Sequence, residues 1–303
     1  DMSRGLGDVY KRQQHPSYGS VVAKELMQGR QDLEIAPFVA VGGSSQGPGF
    51  LGMSWAPFVV SADGRVNHLE MGVNLERMQQ RMAALGQMEK SFTRQRRGAA
   101  AEDHQVVLEQ TLTLMTSAQL NAFEVSRESD AMKARYGDHG FGKGCLLARR
   151  LVEAGVPFVE VDFGGWDHHQ NIFTTLEEKL PQLDQGFSAL IADLESRGLL
   201  ETTSIICMGE FGRTPSINAN TGRDHWARAW SVVVGGGGFA GGKVIGETNE
   251  DGTRVLTDPY TSQDLMATAC PALGISLQTS YESRSGRPMK IANAGKVIDD
   301  LLA

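Results

Sequence analysis

At 303 residues, with 41% apolar and 21% charged residues, the chain is long enough to bury a large core and has ordinary globular composition. Its formal net charge of −7 argues against a general nucleic-acid binder, which needs a basic face for phosphates. No run reaches the roughly 18 consecutive apolar residues of a membrane span. The three cysteines, Cys145, Cys207 and Cys270, are too far apart for a zinc knuckle or a disulfide framework and read as buried small apolar residues.

Residues 1–13 carry no apolar periodicity and join abruptly to His15-Pro16, and Asp8–Gln13 resembles adapter sequence. The expectation is a leader outside the fold, followed over 14–303 by a single α/β domain truncated at its N-terminal side. From Ala36, Pro-Phe-Val-Ala-Val reads as a short buried strand running into Gly42-Gly43. The Gly-, Ser- and Pro-rich stretch 42–67, with apolar patches at Phe50-Leu51 and Phe58–Val60, reads as an ordered loop region. Residues 72–97 and 101–135 read as two helices; the second carries a stripe of Val106, Val107, Leu108, Leu112, Leu114 and Met115. The basic run Arg94–Arg97 reads as a solvated helix end.

The second half alternates. A helix over Lys143–Ala154 stops at Gly155, and a strand follows over Val156–Phe163. Residues 172–197 form an amphipathic helix with Phe173, Leu176, Leu180, Leu183, Phe187, Leu190, Ile191 and Leu194 on one face, kinked or divided at Pro181. Strands over Ser204–Met208 and Trp230–Val234 and a helix over Thr261–Leu273, interrupted by Pro271, complete the pattern. Strands separated by helices predict a mostly parallel sheet sandwiched by helices, with ligands bound outside the carboxyl ends of the strands.

The chemistry concentrates at such ends. Gly165-Trp-Asp-His-His169, Gly209-Glu-Phe-Gly-Arg213 and Gly222-Arg-Asp-His-Trp226 offer five candidate metal ligands: Asp167, His169, Glu210, Asp224 and His225. Asp and His two residues apart can aim carboxylate oxygen and imidazole nitrogen at one cation. A bland alternative stands beside each motif. Asp167 can cap the helix at Ile172, and Glu210 can pair with Arg213. Of the adjacent Asp224 and His225, one can ligate while the other orients it. Arg213 is also a candidate bidentate clamp for phosphate or sulfate. Convergence of three strand ends favours metal over these readings. Asp138-His139 follows a helical run and reads as surface loop, and the glycine-rich stretches 42–49 and 235–242 read as turns.

Together these motifs resemble the bacterial family called domain of unknown function 1501, placed in the alkaline phosphatase/sulfatase superfamily. The resemblance spans roughly His15 to Ala303. Its other carriers are His15-Pro-Ser, Gly49-Phe-Leu-Gly52, Phe141-Gly-Lys-Gly144 and the extension of the second motif from Met208 to Pro215. It implies an alkaline-phosphatase-like fold. It also implies metal ligands at Asp167 and His169 (Gly-Trp-Asp-Thr-His in the family), Glu210, and Asp224 with His225. His168 stands where the family has Thr. It further implies two divalent cations and a small anionic ester as substrate; the mixed Asp, Glu and His donors themselves suit zinc or manganese, with calcium or magnesium admissible where oxygen dominates. The expected activity is hydrolysis of phosphate or sulfate esters. A non-catalytic metal- or surface-binding module on the same scaffold and a phosphomutase-like transferase are the alternatives. The nucleophile would come from a first strand preceding His15; Ser44 and Ser45 are not taken as that group. Twin-arginine export signals in the family imply a periplasmic or secreted location.

Overall fold

The computed structural model describes residues 15–43, 46–66, 72–93, 98–283 and 286–303; the expected leader, Ser44, Ser45 and Arg94–Arg97 lie outside the described residues. The chain divides into two compact units, Asp1–Lys133 with Lys143–Asp162, and Ala134–Gly142 with Phe163–Ala303.

In the first unit, helix α1 (Tyr18–Leu26) starts where Ser17 Oγ accepts from Ser20 N. Strand β1 (Phe38–Val41) is buried along its whole length, as its unbroken apolar run requires. Strand β2 (Phe58–Val60) lies in the stretch expected to be loop. Helices α2 (Leu75–Thr93), α3 (Gly98–Thr116), α4 (Asp130–Tyr136) and α5 (Gly140–Glu153) follow, then β3 (Phe158–Val161). The three strands form a parallel sheet in the order β2-β1-β3. Phe38 and its partner Phe158 meet edge to face at 5.0 Å on one side of it. There Gly19 lets α1 approach so closely that a Cβ would lie 2.6 Å from the Phe38 ring. Val41 and Val161 point the other way, where a Cβ on Gly144 of α5 would lie 3.3 and 3.0 Å from them. Helices therefore cover both faces, and the α/β reading holds for this sheet.

The helix expected over 101–135 instead ends at Thr116. Ser117 Oγ accepts from Gln119 N at 2.9 Å and donates to Glu34 Oε2 at 2.6 Å, turning the chain into 3₁₀ turns before α4. On α5 the buried Arg149 bonds Glu128 Oε1 (2.8 Å) and Glu153 Oε2 (2.7 Å), while Arg150 reaches the same Glu128 oxygen.

The second unit carries α6 (Ile172–Ser196), β4 (Ser204–Cys207), β5 (Gly212–Arg213), β6 (His225–Trp226), β7 (Val233–Gly236), α7 (Ser262–Ala272), β8 (Ser280–Glu282) and β9 (Pro288–Lys290). Helix α6 runs through Pro181 undivided. Its buried positions are Ile172, Gly186, Ala189, Asp193 and Leu194, whereas Phe173 and Leu180 of the expected apolar face are exposed. Asp193 is buried because Tyr136 Oη donates to it at 3.1 Å and Arg197 Nε at 2.8 Å. Pro271 sits in the last turn of α7 without interrupting it, and Thr261 and Asp264 close a capping box at its start.

The fourth expected strand begins three residues later than predicted and pairs with β4 antiparallel, not parallel. The reason is the connection. Residues 208–232 contain no helix, and a parallel return requires a crossover, whereas an antiparallel one does not. Cys145 and Cys270 are buried and Cys207 is half-buried. Among the described residues no helix is long and apolar enough to cross a membrane.

Candidate metal centre

All residues of the candidate site belong to the second unit. The loop 163–171 is anchored by aromatic packing: Phe163 stacks on Phe141 at 4.6 Å, and Trp166 meets Phe163 edge-on at 5.3 Å. Lys179 of α6 lies over both rings and donates to Gly164 O at 2.7 Å. This fixes the stretch immediately before Asp167. Asp167 does not cap α6. That position falls to Asn171, in the left-handed region at φ 50°, with no side-chain cap bond.

The loop 214–224 is laid against 168–172 by backbone bonds. Arg223 N donates to His168 O (2.9 Å), Ile172 N to Thr221 O (2.9 Å) and Asn171 N to Asn220 O (3.2 Å). The approach requires glycine at 222, where a Cβ would lie 2.0 Å from the His169 carbonyl carbon. Arg223 turns away from the donors, giving Nη1–H to Thr214 O and Pro215 O. Its charge therefore serves the loop. The two-residue ladder of β5 and β6 sets Arg213 directly opposite His225.

These constraints bring Asp167, His169 and His225 together. Among the described residues they are a group of three whose ligand atoms all lie within 4.8 Å of one another. Asp167 Oδ1 is 3.0 Å from His169 Nε2 and 3.0 Å from His225 Nε2, and the two imidazole nitrogens are 3.3 Å apart. Arg213 Nη1 bonds the same Asp167 oxygen. Asp224 is not in the triad. Its Oδ1 meets His169 Nδ1 at 2.9 Å, from behind the ring. Glu210 is exposed at a bend after β4 and stands outside the group.

The electrostatics follow from these contacts. The bond from Arg213, then that from His225, holds the Asp167 carboxyl down to about 2. Bonds from His169 and Asn218 hold Asp224 below its ordinary range. His168 is pushed down by burial, with Lys179 and Arg213 adding to the effect, so it favours the neutral imidazole. It lies one residue from two triad members but outside the triad.

Asp167, His169 and His225 are the residues that could hold a divalent cation. Ligand atoms of a tetrahedral site at about 2.1 Å from the ion are separated by about 3.4 Å, close to the 3.0, 3.0 and 3.3 Å found here. Asn218 went unnoticed in the sequence. The only signal for it was the turn-forming run Asn218-Ala-Asn-Thr-Gly222. Ser44 and Ser45 lie outside the described residues.

A family model described as "Protein of unknown function (DUF1501)" matches residues 5–302. No curated protein and no solved structure matches the chain.

Proposed function

The chain belongs to the DUF1501 family, and from that premise we propose that it is a metal-dependent hydrolase of phosphate or sulfate esters, of the alkaline phosphatase/sulfatase kind. The observation carrying this reading is the triangle of Asp167 Oδ1, His169 Nε2 and His225 Nε2, with donors at ligand-to-ligand spacing. These three residues would hold the ion, and one oxygen with two nitrogens suits zinc or manganese. When bound, a divalent cation polarises an ester oxygen and stabilises the charge that develops on it. Asp224 keeps the hydrogen of His169 on Nδ1 and so leaves Nε2 free to ligate. Arg213, which spends one N–H on Asp167, keeps further donors for a non-bridging oxygen of the substrate. The second cation implied by the family resemblance finds no further group of three donors among the described residues.

A second reading has its own support. Arg213, His169 and His225 already satisfy Asp167 as an ion-pair network, which a non-catalytic scaffold would also need. Metal analysis after equilibration with zinc and desalting separates the two. Near-stoichiometric zinc that is lost in Asp167→Ala and His225→Ala, with hydrolysis of aryl phosphate or aryl sulfate lost in the same variants, supports the enzyme. A wild-type chain that retains no metal refutes it.

A further inference from the structure

Asn218 touches neither Asp167 nor the ligating nitrogens, yet every polar atom of its side chain is engaged around them. Oδ1 accepts from Asn220 N and Gly222 N, both at 2.9 Å, closing the turn that leads into Arg223. Nδ2 donates to His169 O and to Asp224 Oδ1, both at 3.1 Å. The orientation of the amide follows from its partners. Two backbone N–H groups can only donate, so the oxygen must face them and the NH₂ must face Asp224. Asp224 Oδ1 thus takes one bond from Asn218 and one from His169 Nδ1.

We propose that Asn218 is a positioning residue of the cation site: it aims Asp224, and through Asp224 fixes the ring and tautomer of His169. The proposal rests on the metal reading above and deepens it. A carboxylate behind a ligating imidazole orients the ring only if it is itself held. Asp224 Oδ1 bonds His169 Nδ1 and Asn218 Nδ2, and of these Asn218 is the one that is not the imidazole being oriented. The same side chain ties Asp224 to the backbone of His169, so the two move together.

The two ends of the amide permit a clean test. Asn218→Asp keeps the oxygen that closes the turn and removes the donor to Asp224, whereas Asn218→Ala removes both. Zinc affinity of the 303-residue chain is measured by competition with a chelator. The visible spectrum of the cobalt-loaded protein reports ligand geometry. Asn218→Asp is expected to bind zinc about 10-fold more weakly, within the usual range for loss of an outer partner, and to shift the cobalt bands. Asp224→Asn should weaken binding comparably. The double variant should be no worse than the weaker single one, because both act along one path. Asn218→Asp binding zinc as the wild type does, with unchanged cobalt bands, overturns the proposal, as do penalties that add in the double variant. Wild-type protein that binds neither metal overturns the metal reading itself and this inference with it.

Discussion

Asp167 Oδ1 receives Arg213, His169 and His225 at once, and this crowding decides how the site responds to acid. The carboxyl is held down to about 2, chiefly by the Arg213 bond and next by that from His225. A carboxyl with a folded value below its unfolded one, about 3.9, contributes stability that is fully present above the unfolded value. That stability is lost as pH falls through the folded value. The window for Asp167 is therefore pH 4 down to 2. In metal-free protein, Asp167→Asn should flatten the acid limb of a urea-midpoint-versus-pH curve in that window and leave its slope above pH 5 unchanged. An unaltered limb would show that the Arg213 contact is too solvated to matter. At this scale the sequence was informative about donor types and poor about roles. Asp167, His169 and His225 converge, while Asp224 moves behind the ring and Glu210 stays outside. Residue type does not encode that division. It depends on which side of an imidazole a neighbouring loop presents.

Strong local patterns survived at the scale of elements, and weak ones did not. The apolar run 38–41 and the periodic stretch 172–196 formed the expected strand and helix. Phe58–Val60 is only three residues long and exists as a strand because β1 pairs with it in parallel; no local signal distinguishes it from an apolar patch in a loop. The two-residue β5 and β6 are likewise products of their mutual pairing. Helix α5 shows how an element is held by charge. Burial pushes the Glu128 carboxyl upward, but its bonds to Arg149 and Arg150 outweigh that and hold it below its ordinary range. Its stabilising contribution is thus present at neutral pH and is lost as pH falls below the ordinary carboxylate range. Arg149 is only 1% exposed, so removing Glu128 leaves a buried cation with one carboxylate fewer. Glu128→Ala should cost about 3 kcal/mol at pH 7, as breaking a buried pair does, read as a lower urea midpoint. A loss below about 1 kcal/mol would mean that Glu153 alone satisfies Arg149.

For the whole molecule, the division into two units places all three donors on one side of it. Their convergence rests on long-range terms: the register of Arg213 opposite His225, and the backbone pairing of 168–172 with 220–223. Neither can be read from a single stretch of sequence, which is why three strand-end motifs were legible and their geometry was not. The same terms predict where metal binding is felt. A ligand that binds only the folded site, supplied at 100 times its dissociation constant, stabilises that site by about 2.7 kcal/mol. Amide exchange that proceeds through opening of the site should then slow about 100-fold. In a hydrogen-exchange comparison with and without zinc, that slowing should concentrate in 165–172 and 212–226. The strands of the first unit, 38–41, 58–60 and 158–161, should exchange as before. Equal slowing in those strands would show instead that both units open in one cooperative step, with the energy of the bound ion shared across the chain. No slowing anywhere would remove the ion from the account altogether. The three outcomes differ in which segments respond, so one experiment locates the ion and measures how far its effect extends.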